Sequence, residues 1–179
     1  MNAGRVTLRL LCALWLLALG AQPAAAADSA GGSSLAVLAI ERLDGSVTST
    51  ADWRGRPLVL NIWATWCPPC RSEMPSLQRL ADRLEAAGVG VVALSVDEDA
   101  NLVREFVLKY GIRFPVAIAA TPGQAISALG AAALPLTLYI DADGRIVERV
   151  LGQRDWADEA LAREIREKLA LPVRSAARR

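Results

Sequence analysis

Two cysteines separated by two residues, Cys67 and Cys70, are the side chains of this sequence best suited to chemistry. They follow the apolar run 58–63 and precede a helical pattern, so we predict that they lie at the first turn of a helix. Thiols at this spacing can close an intramolecular disulfide, and the free N–H groups of a helix N-terminus stabilise a thiolate. The pattern therefore predicts a redox pair.

The residues between the cysteines, Pro68 and Pro69, fit the first positions of a helix because proline pre-sets φ there. Their missing N–H donors are among those that would lack a helical partner anyway. Cys70 then supplies the nearest backbone N–H for the Cys67 sulfur. We therefore predict that Cys67 is the attacking thiolate and that Cys70 resolves the mixed disulfide.

Metal and histidine chemistry are limited by composition, since the chain has three cysteines and no histidine. The third cysteine, Cys12, lies in the N-terminal apolar segment. A structural zinc site needs four nitrogen or sulfur ligands, and the cysteine pair offers two. Two soft thiolates do suit Cu(I), so a copper carrier stays open as an alternative. We expect no resident metal and no cofactor.

Length and composition indicate one globular domain. The chain has 179 residues, of which 53% are hydrophobic and 22% charged, and this balance is enough for a proper core. The formal net charge is +1, which gives no electrostatic case for nucleic-acid binding.

Residues 1–27 have the features of a secretory signal peptide: Arg5 and Arg9, then the apolar stretch 10–21, then a run of alanines. The apolar stretch is shorter than the roughly 20 residues of a spanning helix. An uncleaved N-terminal anchor is the alternative interpretation.

Three further segments complete the predicted organisation. Residues 28–34 are small and polar and are predicted to be a linker. Residues 35–170 are predicted to form the folded domain, and residues 171–179 a basic tail with three arginines.

Apolar runs and helical spacing alternate through the domain, which predicts an α/β fold. The predicted strands are 35–40, 45–49, 58–63, 89–96, 116–118, 136–140 and 146–151. One helix follows the cysteines and ends near Gly88, with a kink near Pro75, and a short one covers 122–129. A third helix is predicted because one of its faces is marked by Leu102, Val103, Phe106 and Tyr110. The last helix is predicted to be capped by Asp155, with Asp158 three residues on, and to face inward with Ala157, Leu161, Ile165 and Leu169.

The segment LNIWATWCPPCRSEMP, residues 60–75, resembles the TlpA/ResA/DsbE proteins, which are membrane-tethered or periplasmic thiol-disulfide oxidoreductases of bacteria. The likeness extends over residues 35–169. It implies a thioredoxin fold, with a central mixed β-sheet flanked by helices, an N-terminal β-hairpin, and an inserted strand and helix over 116–129.

The resemblance also implies roles for residues around the cysteines. Glu73 would tune the thiol pair and move protons, although a first-turn glutamate can also simply suit the helix dipole. Pro135 would be the cis-proline of a loop that lies against the disulfide. The residues expected to contact substrate are Trp66, Pro68, Pro69 and Leu134.

The function implied is a periplasmic reductant of disulfides in cell-envelope proteins, of the cytochrome c maturation or copper-site assembly type. A membrane thiol reductase would supply electrons, and we expect a monomer. The uncharged Pro68 and Pro69, with a negative charge on Glu73, favour the reducing direction. A peroxiredoxin-like peroxidase shares the fold and is a second alternative, but its reactive cysteine does not lie in a Cys-x-x-Cys.

Overall fold

The computed structural model describes residues 33–170. Within this range the strands are β1 (Ala39–Arg42), β2 (Val47–Ser49), β3 (Leu58–Trp63), β4 (Gly90–Ser95), β5 (Val116–Ala119), β6 (Leu136–Ile140) and β7 (Ile146–Leu151). The α-helices are α1 (Pro68–Glu85), α2 (Ala100–Tyr110), α3 (Pro122–Leu129) and α4 (Glu159–Ala170). A 3-10 helix covers Thr50–Trp53. The predicted signal peptide or anchor at 1–27, with Cys12, and the basic tail at 171–179 lie outside the described residues.

These strands form one mixed sheet in the order β2-β1-β5-β4-β3-β6-β7. β3, which leads to the cysteines, is parallel to β4 and antiparallel to β6. β5 is parallel to β4 and antiparallel to β1, while the hairpins β1–β2 and β6–β7 form the two edges. The predicted mixed sheet, N-terminal hairpin and inserted strand and helix are confirmed.

The strands nearest the cysteines are buried on both faces. Every residue of β3, β4 and β6 is buried, as expected for strands that appear in the sequence as continuous apolar runs. β7 instead alternates between buried or half-buried and exposed residues. The buried strands also contain Asn61, Ser95 and Thr137, and buried polar side chains of this kind need hydrogen-bond partners.

The helix α1 carries the cysteines and packs on β4 and α4. Its inward residues Leu77, Leu80 and Leu84 are fully buried, as the spacing predicts. Pro75, the expected kink position, lies inside the continuous helix. The chain turns just after α1 at Gly88, whose φ of +73° is a conformation that favours glycine.

The apolar face predicted for α2 coincides only in part with its buried face. Leu102 and Tyr110 are each 48% exposed, whereas the buried residues of this helix are Val103, Phe106 and Val107. The sequence offers two overlapping apolar stripes, and the stripe centred on Phe106 is the one that packs on Trp63 of β3.

The predicted cap of α4 is wrong. Asp158, not Asp155, precedes the helix and accepts the N–H of Ala160 at 2.8 Å. Asp155 instead accepts the N–H of Ala157 at 3.0 Å in the turn before it, so Ala157 lies outside the helix. Both aspartates can make this local bond, and spacing alone does not choose between them. The buried residues of α4 are Leu161, Ala162, Ile165 and Leu169.

The end of the predicted linker pairs with the sheet. Ser34 forms a bridge with Arg145, and the N–H of Ile146 donates to the carbonyl of Ser33 at 2.9 Å. The rest of that segment, 28–32, lies outside the described residues. None of the helices between residues 33 and 170 has the length and apolar character needed to cross a membrane.

Candidate active site

The two cysteines form a disulfide at the N-terminus of α1. Cys67 is the N-cap residue, with the two prolines at the first helical positions, as predicted. The backbone N–H of Cys70 donates to the Cys67 sulfur, with an N···S distance of 3.4 Å. Cys70 is fully buried, while Cys67 keeps 5% exposure. The small exposure that the pair retains therefore belongs to Cys67.

A buried carboxylate fixes the loop between β3 and α1. Asp97 accepts hydrogen bonds from the Thr65 N–H at 2.9 Å and from the Thr65 hydroxyl at 2.6 Å. Ser95 also donates its hydroxyl to Asp97, at 2.6 Å. Asp97 is not among the predicted site residues; the signal for it is a Ser-x-Asp pattern at the end of a buried strand that runs parallel to β3.

Glu73 lies one turn after Cys70 and is 1% exposed, so it is not a surface partner of the helix dipole. Its Oε1 accepts from Asn61 Nδ2 at 2.8 Å. Its Oε2 accepts from Trp156 Nε1 at 3.0 Å and from the Arg154 N–H at 3.1 Å. Burial raises the pKa of this carboxyl, and these three donors oppose the rise. A raised pKa weakens the sequence argument that relied on a negative charge at this position.

Asn61 links Glu73 to the strand β6. Its Nδ2 also donates to the Thr137 hydroxyl at 2.9 Å, and its Oδ1 has no hydrogen-bond partner among residues 33–170. Trp156, which donates to Glu73, is not among the residues predicted from the sequence, because nothing local connects it with a residue 83 positions earlier.

Pro135 lies at the same edge of the sheet as the cysteines. β6 begins directly after Pro135. In the sheet, the first residue of β6, Leu136, pairs with Ile62, the second-to-last residue of β3. The loops that flank these paired strand ends, one with Cys67 and one with Pro135, are therefore neighbours. The Leu134–Pro135 bond is cis, as the resemblance implies, and the Pro135 carbonyl accepts from the Gly152 N–H at 2.8 Å.

The other predicted contact residues differ in exposure. Trp66 is 64% exposed and Pro68 is exposed, while Pro69 and Leu134 are half-buried. A buried disulfide next to exposed apolar side chains suits contact with another polypeptide. Between residues 33 and 170, no three or more His, Cys, Asp or Glu side chains are grouped in a way that could hold a metal ion.

The sheet order, the disulfide at the start of α1 and the proline loop beside it define a thioredoxin-like protein with a Cys-x-x-Cys site. The Redoxin family model matches residues 25–165, and the chain belongs to this family. Thiol-disulfide oxidoreductase ResA of Bacillus subtilis (strain 168) is 32% identical over 147 residues, which cover 82% of each protein.

A second relative is ResA of Bacillus anthracis, which is 40% identical over 113 residues, or 63% of this chain and 64% of the relative. The chain thus matches less than two thirds of that protein's length. A crystal structure assigned to the thiol:disulfide interchange protein DsbE of Chlorobium tepidum matches with a TM-score of 0.69 and 28% identity, over 78% of this chain and 97% of that one. The resemblance inferred from residues 60–75 is confirmed.

Proposed function

We propose that the protein is a thiol-disulfide oxidoreductase that reduces disulfides of cell-envelope proteins. The observation that carries this proposal is the Cys67–Cys70 disulfide at the N-terminus of α1, in which Cys67 keeps 5% exposure and Cys70 is fully buried. The likeness to proteins named as thiol-disulfide oxidoreductases supports the same reaction.

In the proposed cycle the reduced protein carries a Cys67 thiolate, which attacks one sulfur of the client disulfide and expels the other as a thiolate. The product is a mixed disulfide between Cys67 and the client. Cys70 then loses its proton and attacks the Cys67 sulfur, which releases the second client thiolate. Two electrons pass to the client, which takes up two protons, and the Cys67–Cys70 disulfide is formed.

Glu73 is the proposed proton acceptor for Cys70. It lies three residues further along the same helix, is buried, and has a raised pKa, so its carboxyl can take up and release a proton closer to neutral pH than a surface glutamate can. Trp66, Pro68, Pro69 and Leu134 are the proposed contact residues for the client chain. The loop of the cis-proline Pro135 is proposed to lie against the disulfide and to act in the exchange.

We place this activity in the periplasm, where the protein would be exported by a signal peptide at 1–27 or held by that segment as an anchor. The expected clients take part in cytochrome c maturation or copper-site assembly. A membrane thiol reductase would return electrons to the Cys67–Cys70 disulfide. We propose that the protein acts as a monomer without a cofactor.

Insulin reduction by the purified protein tests the proposal. We expect turnover in the presence of a dithiol reductant and none from the Cys67→Ala/Cys70→Ala double variant. Free thiols counted before and after Cu(I) addition separate this function from copper carriage. Stoichiometric loss of both thiols to Cu(I) without insulin reduction would favour a carrier, and rapid peroxide consumption would favour a peroxidase.

A further inference from the structure

A row of aromatic rings leads from the core to the surface beside the cysteines. The ring of Trp63, at the end of β3, lies 4.9 Å from that of Phe106, and Phe106 lies 4.4 Å from Tyr110. Trp63 is buried, whereas Tyr110, the last residue of α2, is 48% exposed. The row therefore ends in an aromatic hydroxyl at the surface.

Arg71, the residue after Cys70, is oriented by this row. Its Nη2 donates to the Tyr110 hydroxyl at 3.2 Å, and its guanidinium carbon lies 6.0 Å from the centre of the Phe106 ring. A guanidinium held both by an aromatic face and by a hydrogen bond has fewer conformations to lose on binding. Arg71 is exposed, yet its position relative to the disulfide is defined.

The charge of this cation is not neutralised within the described domain. Among residues 33–170, no carboxylate lies within 4.0 Å of Arg71, and the arginines that form ion pairs are Arg104 and Arg113. A second cation lies nearby, because the Lys109 Nζ is 5.7 Å from the centre of the Tyr110 ring. Glu105 lies one turn before Lys109 on α2 but forms no ion pair with Lys109.

The hydrogen-bonding groups of Arg71 and Tyr110 that are not used between these two residues are donors. Arg71 uses one N–H on Tyr110 and has four more, and the Tyr110 hydroxyl accepts from Arg71 and keeps its own O–H to donate. Arg71 also lowers the pKa of Tyr110, first through this hydrogen bond and then through its charge. A carboxylate is the acceptor that fits such a set, because it can take two parallel N–H bonds from a guanidinium.

We propose that Arg71, oriented by Tyr110, is a specificity determinant that binds a carboxylate of the client close to its disulfide. The substrate class is thus a protein disulfide flanked by aspartate or glutamate. This inference rests on the proposed function and adds to it the kind of client that is preferred. Arg71 positions the client and takes no part in the exchange of sulfur bonds.

Two matched peptides test the inference. Each contains the same intramolecular disulfide, with glutamate on both sides of each cysteine in one peptide and glutamine at the same places in the other. The measured quantity is the ratio of their kcat/KM values for reduction by the full-length protein. Because both substrates meet the same enzyme, any effect of Arg71 on the reactivity of Cys67 cancels in this ratio.

We expect the wild-type protein to reduce the glutamate peptide about fivefold faster than the glutamine peptide, as an exposed ion pair allows. Arg71→Gln should bring the ratio to about one, and Arg71→Glu should invert it. Arg79→Gln is the matched control, since Arg79 is also exposed on α1 but lies two turns further from the cysteines. It should keep the wild-type ratio.

A wild-type ratio near one would overturn the inference and leave the proposed function standing, because both peptides would still be reduced. An equal loss of preference in Arg71→Gln and Arg79→Gln would also overturn it, since net charge would then explain the effect. Absence of reduction of either peptide would overturn the proposed function, and this inference with it.

Discussion

The hydrogen bonds of Glu73 can be satisfied in either protonation state of its carboxyl. When Glu73 is ionised, Asn61 Nδ2 donates to it, and Asn61 Oδ1 is left without a partner among the described residues. When Glu73 is protonated, its O–H can donate to Oδ1 of a reversed amide, and the Thr137 hydroxyl can donate to the same oxygen. Asn61 therefore suits a carboxyl that gains and loses a proton, which is what the proposed cycle requires.

Glu73→Gln should change how stability depends on pH. Because burial raises the pKa of Glu73, the folded state binds this proton more tightly than the unfolded state does. The wild-type free energy of unfolding should fall as pH rises from about 4.5 through the raised pKa, with a slope of up to about 1.4 kcal/mol per pH unit. The variant should lack this contribution, which urea unfolding at several pH values would show.

Glu85→Gln, at the exposed end of the same helix, is the control for this experiment and should leave the slope unchanged. The same Glu73→Gln protein should show an altered pH profile for resolution by Cys70, with a smaller change for attack by Cys67. Rapid-mixing measurement of mixed-disulfide decay separates the two steps. Identical profiles in wild type and variant would reduce Glu73 to a structural role.

The order of attack makes a second prediction at the level of single residues. Cys67→Ala should remove all exchange, because Cys70 is fully buried. Cys70→Ala should still form a mixed disulfide with a client but should be unable to resolve it. Non-reducing gels of each variant after reaction with a disulfide-bonded client would show the trapped complex. Trapping by both variants to the same extent would show that the assignment of roles is wrong.

At the level of elements, the site depends on how β4 holds the loop that leads from β3 into α1. Asp97→Ala should remove three hydrogen bonds and leave the half-buried Thr65 N–H without its partner, which costs about 1–3 kcal/mol. The rate of exchange should fall as well, because Cys67 lies two residues after Thr65. Chemical unfolding and insulin reduction measure the two effects.

Asp99→Ala is a matched control for the loop. Asp99 is the exposed N-cap of α2 and accepts the Asn101 N–H at 2.9 Å, so its loss should cost about 1 kcal/mol. The exchange rate should be unaffected, because the hydrogen bonds of Thr65 go to Asp97 and not to Asp99. If the two variants slow exchange equally, the Asp97 link does not position the cysteines.

The elements that the sequence predicts best are those with one dominant signal. The ranges of β3, β6, β7 and α3 agree with the predicted ranges to the residue. β3 and β6 are mostly apolar runs, β7 alternates between two turns that contain glycine, and α3 is bounded by Pro122 and Gly130. The first strand is predicted at 35–40 but covers Ala39–Arg42. Two further errors occur where two signals compete: two apolar stripes on α2, and Asp155 against Asp158 as the cap of α4. In both cases packing against the rest of the domain selects one of two locally acceptable arrangements.

At the level of the whole domain, the site is assembled from segments far apart in the chain. Thr137 is 76 residues from Asn61, and Trp156 is 83 residues from Glu73, yet each pair shares a hydrogen bond. The cysteines and prolines of residues 67–70 could be assigned from spacing and helix chemistry. The buried partners of Glu73 could not, because a single sequence contains no signal that pairs distant positions.

The reduction potential of the Cys67–Cys70 pair depends on the surroundings that this assembly creates. DsbA is strongly oxidising because its reduced form is stabilised, with a potential near −120 mV, against about −270 mV for thioredoxin. Here the disulfide is buried, the prolines between the cysteines carry no charge, and the chain has no histidine. Burial disfavours a charged thiolate, so the reduced form gains little stabilisation beyond the helix N-terminus and the Cys70 N–H.

We therefore expect a potential closer to about −270 mV than to about −120 mV, so that the dithiol form is a reductant. Equilibration of the protein with dithiothreitol and glutathione buffers, followed by thiol alkylation, measures this potential directly. The 150 mV or so between the two reference proteins corresponds to roughly 7 kcal/mol, which is well beyond the error of such a titration. A potential near that of DsbA, together with efficient oxidation of unfolded thiols, would reverse the direction of the proposed reaction while leaving the roles of Cys67 and Cys70 unchanged.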